Sequence, residues 1–298
     1  MRRLTLLATT CLAAWLLAAC AAPARLNATE QAQLAALLPA DAIFLGEQHD
    51  APAHHRLERA TVQWLAARGA LAALVMEMAE QGRSTAGLPR DASTAQVRAA
   101  LAWDGGGWPW ADYDPVVMAA VRAGVPVLGG NLPRTRMRTA MQDSALDTRL
   151  PPAAWAEQQR RIRAGHCNLL PDRQIVPMTR IQVARDAAMA DTVVRALQPG
   201  RTVLLVAGNG HVQRGLGVPL HLSPKIKAKV VSARSEKALP ATNNIATTAS
   251  GHDTDLVWPT APQPPRDYCA ELRRTSGGAP GAPGTPDAPP HPDTLPHQ

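Results

Sequence analysis

The sequence predicts an α/β protein: a mostly parallel, doubly wound sheet with helices on both faces. Three observations carry this. Four short runs near Ala42, Ala72, Val125 and Thr202 are almost solidly apolar, as strands covered on both faces are. Helical patterns fill the intervals between them. Each run ends abruptly in polar residues: Glu47 and His49, Glu77, Asn131, and Asn209 and His211. In a parallel sheet such ends share one rim, and ligands in open α/β sheets bind outside that rim.

The elements follow in order. The first strand reads Ala42-Ile43-Phe44-Leu45-Gly46 and gives way to Glu47-Gln48-His49-Asp50. Asp50 suits a helix cap, and a helix is expected from about Pro52 to Arg68, with one of His54 and His55 facing solvent. Ala72 to Met76 is the second strand, ending in Glu77. A helix over about Asp114 to Ala123 leads to the third strand, Val125 to Asn131. Helices are expected over Pro152 to Arg163 and Pro177 to Leu197, then the fourth strand, Thr202 to Gly208. Val218 to Leu222, Lys229 to Ala233 and Asp255 to Trp258 are shorter strand candidates. In the long helix, Val183, Ala187, Ala190, Val194 and Leu197 recur at helical spacing as a core face. Gln182, Arg185, Asp186 and Met189 fall on another flank. If that flank meets the rim, Arg185 offers a fixed cation to a carboxylate and Gln182 a neutral donor. The other reading is an exposed charged face.

The ends differ from this middle. Met1-Arg2-Arg3 is a short basic region, and Leu4 to Leu17 is an apolar stretch too short to span a bilayer comfortably. Leu17-Ala18-Ala19-Cys20 resembles a bacterial lipoprotein cleavage box. Residues 1–19 are read as a signal peptide, with Cys20 carrying palmitate-class acyl chains that hold the protein at a membrane without a transmembrane helix. Ala21 is not the Asp of an inner-membrane retention signal, so the expected address is the outer membrane, facing the periplasm. An ordinary secretory signal is the alternative. Residues 20–30 form a tether and 31–274 a single domain. Residues 275–298, dense in Pro and Gly, cannot bury enough surface to order themselves.

Signal removal takes Arg2 and Arg3 from the formal charge of +7 and leaves +5. The basic residues are scattered among acids, so no electrostatic footprint for nucleic acid is present. The balance suits an acidic small molecule or an anionic lipid surface. Of four Cys, Cys11 leaves with the signal and Cys20 is lipidated. Cys167 and Cys269 remain, an even pair in an oxidising compartment and a candidate disulfide. Two separate buried thiols are the alternative.

Several spaced motifs agree with one family. The run Phe44 to Asp50 with His54-His55, then Trp110 to Tyr113, Gly130-Asn131, Gln182 to Ala190, Ala207 to His211 and Gly217-Val218-Pro219 resembles ChaN-like lipoproteins, linked to iron-regulated haem uptake. The resemblance covers about residues 40–222. It implies haem (Fe) held at the strand rim, between two protomers of a homodimer, with an outer-membrane uptake machinery as partner. It implies Tyr ligation of ferric iron, no further metal, and polar groups on the propionates. The mature chain has only Tyr113 and Tyr268. Tyr113 lies among Trp108 and Trp110, rings that can line a porphyrin slot, and is the better candidate for haem iron. A Tyr packed under a loop is the competing reading. The remaining expected ligand-binding residues are Glu47, His49, Glu77, Asn131, Gln182, Arg185, Asn209 and His211.

The wider superfamily includes erythromycin-esterase-like hydrolases and a metal-dependent peptidase branch. They share a Glu-x-His and a late Gly-x-x-His, matched here by Glu47 with His49 and Gly208 with His211. The alternative function is therefore hydrolysis. Glu47, His49, Glu77 and His211 would serve as general bases or as ligands of a divalent ion. No G-x-S-x-G elbow occurs, which argues against a serine nucleophile in an α/β-hydrolase frame. Whether the protein is an enzyme stays open on the sequence.

Overall fold

A computed structural model describes residues 25–105, 107–236, 253–264 and 266–276. The signal peptide, Cys20 and the Pro/Gly-rich tail from 277 onward lie outside the described residues. Six strands form one parallel sheet in the order β3-β2-β4-β1-β5-β6. They are β1 Ala42–Glu47, β2 Leu71–Glu80, β3 Val127–Asn131, β4 Thr202–Gly208, β5 Ala228–Ser235 and β6 Leu256–Thr260. The expected α/β sheet is present, and every residue of β1 and β4 is buried.

Alternation of side chains splits the core into two layers. Ile43, Leu45, Leu74, Met76, Leu204 and Val206 pack against α2 (Pro52–Ala67) and α4 (Trp110–Arg122). Ala42, Phe44, Val75, Val203 and Leu205 pack on the opposite face against α7 (Asp172–Ala196) through Met189, Ala190 and Val193. The β1-to-β2 and β2-to-β3 connections run on the α2/α4 side. The β3-to-β4 connection returns on the α7 side through α5 (Arg134–Gln142) and α6 (Pro152–Gly165). The chain therefore leaves β1 toward one edge of the sheet and β4 toward the other. Beside those two adjacent strand ends a crevice must open.

Several elements differ from expectation. The helix α1 (Ala28–Ala36) begins inside the expected tether, because Asn27 and Glu30 form a capping box. The short α3 (Thr94–Ala100) and α5 were not anticipated. The helix α7 starts at Asp172 and carries Pro177 inside its first two turns. Val218–His221 is a 3-10 turn rather than a strand. Its Val218 amide donates to the His211 carbonyl at 2.7 Å, so the segment folds back onto the loop after β4. Both His54 and His55 are buried, so neither faces solvent. No helix among the described residues is long and apolar enough to cross a membrane.

The pair Cys167 and Cys269 is bonded, with Cα atoms 5.6 Å apart. This joins the turn between α6 and α7 to α8 (Tyr268–Ser276).

Candidate functional site

The crevice at the β1/β4 switch point holds a chain of buried ionisable groups. Glu47 ends β1 and Glu77 lies three residues before the end of β2; the two strands are separated by β4, and the two carboxylates face opposite sides of the sheet. His49 stands between them, its Nδ1 2.7 Å from Glu47 Oε1 and its Nε2 3.5 Å from Glu77 Oε2. On the α2 side, His55 Nε2 lies 3.3 Å from Glu47 Oε2, and Glu58 packs against the same carboxylate. On the α7 side, His211 Nε2 lies 3.1 Å from Glu77 Oε1, and its Nδ1 donates to Asp186. The Gly208 amide donates to Glu77 Oε2 at 2.7 Å. A Cβ on Gly208 would sit 2.9 Å from His49 Nε2, so the imidazole comes close against the glycine at the β4 end.

Protonation follows from these contacts. Burial pushes the Glu47 carboxyl up, but the His49 charge and the hydrogen bonds of His49 and His55 outweigh it and hold Glu47 well below the usual carboxylate range. Burial and then the Glu47 charge push Glu58 well above that range, so Glu58 keeps its proton. Burial lowers His211, but Glu77 and Asp186 prevail and raise it to about 10. His49 is raised for the same reason, by Glu77 and Glu47 against burial. Burial pushes Asp186 up, against the pull of His211. At neutral pH His211 is thus an imidazolium with both nitrogens donating. Among the described residues no three His, Cys, Asp or Glu side chains are arranged to hold one metal ion.

The expected site residues divide. Glu47, His49, Glu77, His211 and Gln182 converge, with Gln182 Nε2 3.1 Å from the His211 ring. Arg185 is 2% exposed and lines the same cleft as Gln182 and His211. Asn209 does not join them: its amide donates to the Ala233 carbonyl and its oxygen accepts from Ser232, tying the β4 loop to β5. Asn131 faces a separate small hollow with Trp103, Trp108 and Asp104.

Tyr113 lies beneath the rim. It is 0% exposed, and its hydroxyl donates to Glu47 Oε1 at 2.8 Å. Burial, then the charges of Glu47 and Glu58, push its phenol well above the ordinary range. A tyrosinate is disfavoured there, and the oxygen is enclosed. Of the neighbouring rings, Trp108 packs edge-on against His49 and Trp103 tilts against Tyr113.

Sequence reasoning passed over His55, Glu58 and Arg161 as partners of the site, and left His166 either reaching the rim or sitting in a loop. Glu58 was detectable, because His54, Glu58, Thr61 and Leu65 recur at helical spacing on the buried face of α2. Arg161 and His166 depend on where the α6 end lands. That end closes a cleft of about 450 Å³ outside the ionised chain. Gln182, Arg185, Gly208 and His211 form one side of it. Arg161, Ile162, Ala164 and His166 from the end of α6, with Leu216, form the other. Its size lies within the usual range for small-molecule sites, roughly 300–1,000 Å³.

A family model described as haem-binding uptake, Tiki superfamily, ChaN, matches residues 33–222. The chain belongs to the ChaN family. ChaN of Campylobacter jejuni, whose structure is described as showing cofacial haem binding, is similar at 23% identity with a TM-score of 0.56. That match covers 68% of this chain and 85% of the other, and at this identity it speaks for the fold. The type III effector HopBA1 is more distant, at 16% identity over 75% of this chain and 88% of its own, with a TM-score of 0.41. No curated protein shows a sequence match to the chain. The ChaN match spans the crevice from β1 to the 3-10 turn after β4, and excludes α8 with its Cys269.

Proposed function

We propose that this chain is a haem-binding lipoprotein of the bacterial envelope, anchored through Cys20 to the outer membrane and facing the periplasm. One observation carries the haem reading: the switch-point cleft combines apolar wall, guanidinium groups and an imidazole in one small space. Haem needs those three things, a nonpolar bed for the porphyrin, cations for two propionates and an axial donor for iron. Ile162, Ala164 and Leu216 would meet the ring, and Arg161 and Arg185 the carboxylates. When bound, the group supplies a ferric iron that the protein can carry and pass on. The ionised chain beneath the cleft holds His211 between Glu77 and Asp186, so that part of the floor is preorganised before a ligand arrives.

Membership of the ChaN family supports haem as ligand. The similar Campylobacter jejuni protein is described as binding haem cofacially, and a homodimer around haem with delivery to outer-membrane uptake machinery is part of the same proposal. The test is a titration of the mature protein with ferric haem, read by the Soret band and by mass in solution. Saturable binding at one haem per chain, with dimer formation, is expected. A Soret band identical to that of free haem at every ratio would defeat the reading. For the anchor, Cys20→Ala should leave the precursor uncleaved or move the protein out of the membrane fraction. Normal processing with unchanged membrane partition would remove lipidation.

A further inference from the structure

We propose that His166 is the axial ligand of haem iron in this chain, presenting Nε2 to the cleft between α6 and α7. The proposal rests on the haem reading above.

His166 ends α6 and is 7% exposed, lining the cleft. Its Nδ1 lies 2.7 Å from the Ile162 carbonyl. A carbonyl only accepts, so Nδ1 carries the hydrogen and the lone pair sits on Nε2. No described residue hydrogen-bonds that Nε2. His166 lines the cleft, so a ligand seated there can take the lone pair. Donation from the second ring nitrogen to a carbonyl is also the arrangement that orients metal-bound imidazoles and raises their basicity.

The ring is held from its other side by the backbone. Cys167, the next residue, is bonded to Cys269, and Cys167 and Asn168 both adopt left-handed backbone (φ 56° and 58°). His166 is thus anchored covalently one residue away, as a ligand of defined position needs to be.

The competing donors are engaged elsewhere. His211, the other imidazole of the cleft, spends Nδ1 on Asp186 and Nε2 on Glu77. Tyr113 is enclosed, with its hydroxyl on Glu47. Tyr268 gives its hydroxyl to Asp50, at the end of β1 and outside the cleft lining. With two tyrosines in the chain, no phenol lines this cleft.

Ferric haem is titrated into the wild type and into His166→Ala, His166→Tyr and Tyr113→Phe. The expected wild-type spectrum is that of an imidazole-ligated haem. His166→Ala should lose that spectrum and bind haem at least tenfold more weakly, and added imidazole should restore the spectrum. His166→Tyr should acquire a phenolate-to-iron charge-transfer band. Thermal melts of the apo proteins report folding. If a variant misfolds, pulsed EPR of the wild type labelled with ¹⁵N-histidine decides: ¹⁵N coupling to iron supports ligation, and its absence overturns it. Wild-type haem binding with an unchanged His166→Ala spectrum overturns His166 while sparing the haem reading. No haem binding by the wild type removes both.

Discussion

His211 should make the protein lose stability as pH rises, and the size of the loss can be worked from its contacts. The imidazole is buried between Glu77 and Asp186 and titrates at about 10 in the fold, against 6.5 in an unfolded chain. A raised histidine pKa contributes stability that is fully present below pH 6.5 and disappears as pH rises through 10. At about 1.4 kcal/mol per unit, a shift from 6.5 to about 10 sets a ceiling of roughly 5 kcal/mol. Removing one partner of a buried ion pair typically costs about 3–5 kcal/mol, which agrees. The perturbation is His211→Asn, which deletes the charge and keeps a donor. Urea unfolding of the disulfide-bonded mature chain is measured for both proteins from pH 6 to pH 10.5. The wild type should exceed the variant by about 3–5 kcal/mol at pH 6, and the gap should close to under about 1 kcal/mol at the top of the range. His49 and Asp186 both feel the His211 charge, so the difference reports His211 together with the neighbours coupled to it. A gap independent of pH would refute the argument. So would an imidazole resonance of His211 with a midpoint near 6.5 in the folded protein.

Three further outcomes follow from the same geometry. Gly208→Ala drives a Cβ to 2.9 Å from His49 Nε2 and should cost about 1–3 kcal/mol by overpacking; an unchanged thermal midpoint would show that the imidazole has room to move. Cys269→Ser opens the bond that links residues 102 apart, a loss of about 2–5 kcal/mol in urea unfolding, while the unreduced, denatured wild type should show no reactive thiol from this pair. Tyr113→Phe removes a hydrogen bond to an ionised carboxylate and should cost about 1.5–3 kcal/mol. Its haem spectrum should match the wild type, and a lost charge-transfer band would return Tyr113 to the iron.

The sheet was legible because a strand buried on both faces leaves its mark in composition. The runs at Phe44, Val75 and Leu205 contain no polar residue that a solvent face would need. Their abrupt polar ends marked Glu47, His49, Glu77 and His211, since a parallel sheet puts such ends on one rim wherever its strands lie. Short apolar stretches carry less information. Val218 to Leu222 reads equally as strand or turn, and its pairing to the His211 carbonyl chose the turn.

Sequence alone determined the layers, the rim and the kinds of group on it. The tertiary structure decided which of those groups meet. Asn209 and His211 are two residues apart, yet one braces β5 while the other closes on Asp186, because the strand order sets β5 on one side of the loop and α7 on the other. Tyr113 had the right chemistry for iron but lies under the rim against Glu47, where burial disfavours its anion. From the sequence His166 could reach the rim or simply sit in a loop. Only the landing of the α6 end across from His211 puts its imidazole at a cleft, and that contact between distant segments has no local signature.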